Sequence, residues 1–161
     1  MKRLGVFSDS HGREAMLRRA IYTVGRADAY CFCGDGLCDF RAVIPDIQSL
    51  NPSAQILMVA GNCDGFSGEK EEITFFIGGA KILMAHGHTR RVKLSPDFLL
   101  EEAVRQDARA ALFGHTHEPK EDWQNGVLLL NPGSVSASWP SCASLQIDDD
   151  GRLRADILLI R

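Results

Sequence analysis

The sequence predicts an α/β sandwich, with a mixed core sheet, helices outside and a hairpin-rich C-terminal half. Three observations support it. Short apolar runs alternate with helical patterns through the first half, glycine-containing turn pairs punctuate the second half, and the conspicuous Asp, Asn and His residues fall just beyond the apolar runs. Leu4–Phe7, Ala29–Phe32 and Ile56–Val59 are too short for helices and are flanked by Gly and Asp, so buried strands are expected there. Between the first two, Met16, Leu17, Ala20, Ile21 and Val24 recur at helical spacing; between the second and third, Phe40, Val43, Ile44, Ile47 and Leu50 do the same. A βαβαβ opening of this kind implies parallel strands joined by right-handed crossovers.

The second half changes character. Ile73–Ile77 and Lys81–Ala85 flank Gly78-Gly79, a hairpin signal. Ser95-Pro96 predicts a helix start, serine as the cap and proline in the first turn, with Leu99, Leu100, Ala103 and Val104 as its buried stripe. After the strand expected at Ala111–Phe113, Asn125-Gly126 and Asp150-Gly151 mark two further hairpins.

With 161 residues, one domain spanning residues 1–161 is expected. A chain of this size buries roughly two-thirds of its unfolded surface in a single core. The composition, 45% apolar and 24% charged with a net charge of -3, gives no global bias toward nucleic acid or acidic membranes. There is no apolar stretch of signal-peptide type and no run approaching membrane-spanning length, so no membrane association is expected. Five cysteines, an odd number, fit reduced thiols in the cytoplasm better than a disulfide framework. Cys31, Cys33 and Cys38 lie close enough to suggest a zinc knot, yet Cys31 and Cys33 flank Phe32 in an expected buried strand, where small core residues are the simpler reading.

All five histidines fall within short polar motifs: Asp9-Ser10-His11, His86-Gly87-His88 and Gly114-His115-Thr116-His117. Gly34-Asp35 and Gly61-Asn62-Cys63-Asp64 are of the same kind. Asp9, Asp35, Asn62, His86 and His115 each follow the C-terminal end of a different expected strand, the edge along which open α/β sheets bind ligands. Asp-x-His can turn a carboxylate and an imidazole toward one ion. His115 and His117 either share an ion or face one each. Asp35 has two oxygens able to bridge two ions, Asn62 a neutral amide oxygen and His86 a further nitrogen. Taken singly, Asp9 is also competent as a helix N-cap, and Gly34-Asp35-Gly36 or Gly61-Asn62 as ordinary turns. Together they form a nitrogen- and oxygen-rich set suited to Mn²⁺, Zn²⁺, Fe²⁺ or Ni²⁺ rather than Ca²⁺ or Mg²⁺. Two such ions about 3.5–4 Å apart acidify a shared water, whose hydroxide attacks phosphorus while the ions clamp the phosphate oxygens.

The ordered set Asp-x-His, Gly-Asp, Gly-Asn-x-Asp, His-Gly-His and Gly-His-Thr-His, from Asp9 to His117, resembles the calcineurin-like metallophosphoesterases, most closely their small bacterial and archaeal phosphodiesterases. Asn131-Pro132-Gly133-Ser134 resembles the turn that commonly follows in that branch, although by itself Asn131 reads as a turn residue. The resemblance implies a double β-sheet sandwich flanked by helices and two divalent transition-metal ions, with Mn²⁺ foremost. It implies that Asp9, His11 and His117 hold the first ion, that Asp35 bridges, and that Asn62, His86 and His115 hold the second. Asp35 and Asn62 then belong to the catalytic set. A small phosphoester, most readily a diester, is the implied substrate.

There are two departures from the pattern. Many relatives carry a histidine after the metal-binding asparagine, where this chain has Cys63, and a histidine before the Gly-Asp turn, where it has Phe32. Cys63 removes a donor for poor leaving groups, which favours diesters, and leaves His88 as the candidate replacement donor. Thr89-Arg90-Arg91-Val92-Lys93 suggests a basic lip, so Cys63, His88 and Arg90 are the expected substrate contacts. The family also offers a non-catalytic scaffold, as in the retromer subunit, and larger nucleases. Intact ligands disfavour the first; the lack of an added DNA-binding domain disfavours the second, and nucleic acid as a partner with it. A hairpin edge offers a route to a homo-oligomer, but no residue pattern specifies one.

Overall fold

The computed structural model describes residues 1–161. In chain order the elements are β1 (Lys2–Phe7), α1 (Glu14–Val24), β2 (Ala29–Phe32), α2 (Leu37–Ala42), α3 (Ile44–Leu50), β3 (Gln55–Met58), β4 (Glu72–Ile77) and β5 (Ala80–Ala85). A single 3-10 turn at His88–Arg90 precedes α4 (Asp97–Arg105), β6 (Ala110–Leu112), β7 (Pro119–Gln124), β8 (Val127–Pro132), β9 (Ser141–Ile147) and β10 (Leu153–Leu159).

These strands form two mixed five-stranded sheets, in the orders β10-β9-β1-β2-β3 and β4-β5-β6-β8-β7. In the first, β1, β2 and β3 run parallel, with Val6 opposite Cys31 and Cys31 opposite Leu57. In the second, β5, β6 and β8 run parallel. The hairpins expected at Gly78-Gly79, Asn125-Gly126 and Asp150-Gly151 join β4 to β5, β7 to β8 and β9 to β10.

The two-residue period of a strand explains why the central runs are apolar throughout. Leu4, Val6, Cys31, Ile82, Met84, Leu112 and Leu130 point between the sheets and form one core. Phe7, Tyr30 and Phe32 point the other way, into a second core beneath α1, α2 and α3. Leu83, Ala85 and Ala111 meet Leu99, Leu100 and Ala103 of α4 in a third. The result is helices, sheet, sheet, helix.

Three expectations need correction. The helix expected from Ser95-Pro96 begins at Asp97, with Pro96 at its N-cap position and no side-chain cap, and Val104 of its expected buried stripe is exposed. The helical stripe from Phe40 to Leu50 is broken at Val43 into α2 and α3, with Pro45 in the first turn of α3. Proline has no N–H to give the carbonyl four residues back, so the break falls where the first helix would otherwise continue. Asp9 does not cap α1, which starts at Glu14; its Oδ2 instead accepts from Ser8 Oγ at 2.6 Å and from the His115 amide at 3.0 Å.

No cysteine pairs in a disulfide. Burial pushes the Cys31 and Cys33 thiols far above their ordinary range, which holds them as neutral core groups rather than thiolate ligands, and Cys38 is exposed. Phe32 stacks on Phe40 with ring centroids 4.9 Å apart in the helix-facing core.

Candidate metal centre

The parallel strands of both sheets end on the same side of the sandwich. Asp9 follows β1, Asp35 follows β2, Asn62 follows β3, His86 follows β5 and His115 follows β6. Turning side chains from five strand ends toward one point requires sharp backbone turns. Asp9, His11, Asp35, His115 and His117 all adopt the left-handed conformation, with φ of 55°, 44°, 60°, 67° and 61°. Each such non-glycine residue costs about 1 kcal/mol or more. Nine non-glycine residues in the chain have positive φ, and more than half of them are in this site. That concentration marks backbone held in place by its surroundings.

The side chains converge in two groups. In the first, His11 Nε2 and His117 Nε2 are 3.2 Å apart, and Asp9 Oδ1 is 3.5 Å from the former and 3.1 Å from the latter. In the second, His86 Nε2 is 3.1 Å from Asn62 Oδ1, 3.2 Å from His115 Nδ1 and 3.3 Å from Asp35 Oδ2. The same Asp35 Oδ2 is 3.8 Å from His11 Nε2, so one oxygen faces both groups.

Two donors each about 2.1 Å from one ion stand about 3.0–3.4 Å apart, depending on coordination geometry. The observed separations match. Facing imidazole nitrogens repel through their lone pairs unless a proton or a cation lies between them. Asp9 Oδ1 is buried without any hydrogen-bond partner, an arrangement that costs free energy unless a cation or donor sits against it. The residues therefore fit divalent ions: Asp9, His11 and His117 can hold one, and Asn62, His86, His115 and Asp35 another.

Neighbours fix the orientation of these donors. The His86 ring donates from Nδ1 to the Cys33 carbonyl at 2.7 Å, leaving Nε2 to face the site. Burial raises the Asp35 carboxyl, but the His86 ring and the Cys63 amide outweigh it and hold it well below the usual carboxylate range. Burial lowers His86, and Asp35, Asp9 and the Cys33 carbonyl together more than reverse this, so without metal the ring retains a proton more readily than a free imidazole. A cation bound there displaces that proton. His115 is pulled down to about 4, by burial first, then by His86 and then by Lys93, which leaves a neutral ring ready to ligate.

Asp64, Asn131 and Ser134 belong to motifs the sequence offered, but the bracing of these loops by them and by Asp39 was not read there. Asp64 Oδ2 accepts from the Asp35 amide at 2.6 Å and the Gly61 amide at 2.8 Å, while Oδ1 accepts from Gly36 at 2.9 Å and Leu37 at 3.0 Å. Asp39 Oδ2 accepts from Ser10 Oγ at 2.6 Å and from the Gly12 amide at 2.8 Å. Ser134 Oγ donates to the Asp9 carbonyl at 2.9 Å. Asn131, read from sequence as a turn residue, is instead buried near the end of β8, where its Oδ1 accepts from the Gly133 amide and its Nδ2 donates to the Gly114 carbonyl at 3.0 Å. Gly61 and Gly114 are required by space: a Cβ on the first would strike the Asp35 carboxylate, and on the second Ser8 Oγ and Asp9 Oδ2.

The expected substrate contacts fare differently. Cys63 lies with His11 and Asp35 in one cluster of donor atoms, all within 4.8 Å of one another, and burial followed by the Asp35 charge keeps its thiol protonated. The His88 ring centroid is 5.4 Å from that of His86 and 6.1 Å from that of His115, and its Nε2 lies 3.3 Å from Glu71 Oε1. Arg90 is a correction. Its guanidinium makes a two-pronged bond to Glu72, both contacts at 2.9 Å, and lies 3.6 Å from Glu102. It ties β4 to α4, and its charge is neutralised there rather than offered to a ligand.

The family model described as the calcineurin-like phosphoesterase superfamily domain matches residues 1–150. The protein named Probable metallophosphoesterase YsnB, from Bacillus subtilis, is 34% identical over 132 residues, covering 81% of this chain and 73% of its own. A phosphodiesterase of Methanocaldococcus jannaschii is 28% identical over 148 residues, covering 81% of this chain and 82% of its own. Among solved structures, a predicted phosphoesterase of Streptococcus pneumoniae superposes with a TM-score of 0.79 at 28% identity, covering 98% of this chain and 89% of that one. Vps29 of Entamoeba histolytica complexed with zinc has a TM-score of 0.71 at 23% identity, covering 99% of each chain, a likeness of fold alone.

Proposed function

Because the chain belongs to the calcineurin-like phosphoesterase superfamily, we propose that it is a binuclear-metal-dependent phosphodiesterase acting on a small phosphoester. The observation that carries the reading is the single Asp35 oxygen facing both donor groups, 3.3 Å from His86 and 3.8 Å from His11. Asp9, His11 and His117 would hold one ion, Asn62, His86 and His115 the other, and Asp35 both, with Mn²⁺ the leading candidate. Bound there, two divalent cations supply Lewis acidity to the phosphate and to the attacking water.

The chain's own residues do the rest. Asp35 and Asp9 place negative charge between the donors and keep it fixed through the Cys63, His115 and Ser8 hydrogen bonds. The protonated Cys63 thiol is a weak donor, poorly suited to protonating an alkoxide of high pKa. His88 is nearer in character to a general acid, with Glu71 orienting its ring. A diester with an acidic leaving group needs least from either. The absence of disulfides accords with a reducing compartment such as the cytoplasm, and no helix is long and apolar enough to cross a membrane.

One rival reading is a protein-binding scaffold on the same fold. Hydrolysis of bis(p-nitrophenyl) phosphate and of p-nitrophenyl phosphate, measured on metal-stripped protein with Mn²⁺, Zn²⁺, Ni²⁺ or Mg²⁺ restored, separates the two. Metal-dependent turnover with the diester preferred is the expected result. No turnover in protein that binds both ions would favour the scaffold.

A further inference from the structure

We propose that the substrate is a phosphodiester bearing a second phosphate, which occupies a cavity beside the metal centre and is held there by Lys93. The proposal rests on the phosphodiesterase reading above and names the class of substrate for it. The cavity has a volume of about 520 Å³, within the span of small-ligand sites. Buried Val92 and Phe113 supply apolar wall, and Lys93, Lys120, Thr116 and Glu118 supply the polar lining. Thr116 stands between His115 and His117 in the chain, and Val92 packs against Gly87, which stands between His86 and His88, so the cavity adjoins the loops that carry His86, His115 and His117. Its wall is braced there: Thr116 Oγ1 accepts from Asn131 Nδ2 at 3.0 Å and from the Glu118 amide at 3.2 Å.

Charge identifies the occupant. Lys120 is 3.6 Å from Asp122, and Arg90 is paired with Glu72 and Glu102, but Lys93 has no ion pair and no hydrogen bond. The Lys93 ammonium is exposed and free of a carboxylate partner, so an anion in the cavity can meet it without displacing an ion pair. The scissile phosphate satisfies the metal donors. The cavity is far larger than one phosphate, so a further arm of the substrate fits within it and brings its own anion to Lys93. Lysine suits a phosphate as a point charge that needs no two-pronged geometry. Glu118, the one carboxylate of the lining, is exposed and makes no ion pair.

The test uses a matched pair of substrates, the p-nitrophenyl phosphodiester of thymidine with and without a phosphate on its second hydroxyl. With Mn²⁺ restored, the phosphorylated diester is expected to show a kcat/KM about tenfold higher, carried in KM, and Lys93→Gln is expected to bring the ratio close to unity. Lys93 is exposed, so the variant should retain the fold. Calorimetric binding of thymidine bisphosphate against thymidine monophosphate supplies a second readout that needs no turnover, with the same tenfold discrimination expected and lost in Lys93→Gln. Equal kcat/KM values, or a preference that survives in the variant, would overturn the cavity assignment while leaving the diesterase reading in place. Hydrolysis of neither diester would overturn the diesterase reading, and calorimetry alone would then decide whether Lys93 holds the second phosphate.

Discussion

Asp35 is the residue on which both donor groups depend. Its Oδ1 is occupied by the Cys63 amide at 2.8 Å, which leaves Oδ2 as the oxygen turned toward His11 and His86. Asp35→Asn keeps the shape but removes the charge and presents either a neutral oxygen or an amide NH2 to the donors. The variant is expected to retain its fold and lose at least about a hundredfold in kcat, since even residues that only orient ligands cost 10–100-fold when removed. Turnover within a few-fold of the parent on bis(p-nitrophenyl) phosphate would refute the bridging role. At this scale the site was legible in the sequence because donor chemistry is a property of residue type. Core packing or surface solubility would scatter five histidines along the chain, whereas shared metal ions gather them into polar motifs. What was not legible was which way a side chain turns. Arg90 sits two residues after His88 and looked available for substrate, but Glu72 and Glu102, remote in sequence, claim its guanidinium.

At the scale of elements, the loops leaving the strands are held by carboxylates that never face the donors. Asp64 collects four backbone amides from two loops, so that the Gly34–Leu37 turn and the Gly61 turn behave as one unit. Asp64→Ala leaves those amides without acceptors and is expected to cost about 2–4 kcal/mol of stability in the metal-stripped protein, read by urea unfolding. Binding of the second metal equivalent should weaken with it. Unchanged stability would mean that the four bonds are replaced by water without loss. Asp64 was part of a quoted motif, but its bracing role was not legible because its partners are amides, which no residue type announces, and because two strands must pair before those amides share a place. Periodicity did reveal the strands and hairpins, since buried runs and Gly-Gly, Asn-Gly or Asp-Gly pairs are local signals. It missed the break at Val43, where the apolar stripe continues unchanged and only Pro45 interrupts the hydrogen bonding.

For the whole molecule, the decisive feature is that each sheet contributes part of the centre. Asp9, His11, Asp35 and Asn62 come from the strand ends of the first sheet, and His86, His115 and His117 from those of the second. The apolar core between the sheets, in which Val6, Cys31, Met84 and Leu112 meet, thereby sets the spacing of the metal donors. The division into two sheets could not be read from local pattern, because a strand buried on both faces looks the same whichever sheet it joins; the family resemblance supplied it. The left-handed residues and the unpartnered Asp9 Oδ1 are maintained by this packing, and that oxygen gains a partner when an ion binds. The central claim is therefore that two ions bind side by side with Asp35 between them. Electron paramagnetic resonance of the metal-stripped chain titrated with Mn²⁺ tests it most directly. The account predicts two equivalents bound per chain and a spectrum of exchange-coupled Mn²⁺, which collapses to isolated ions in Asp35→Asn. A single bound equivalent, or two ions without magnetic coupling in the parent protein, would contradict it.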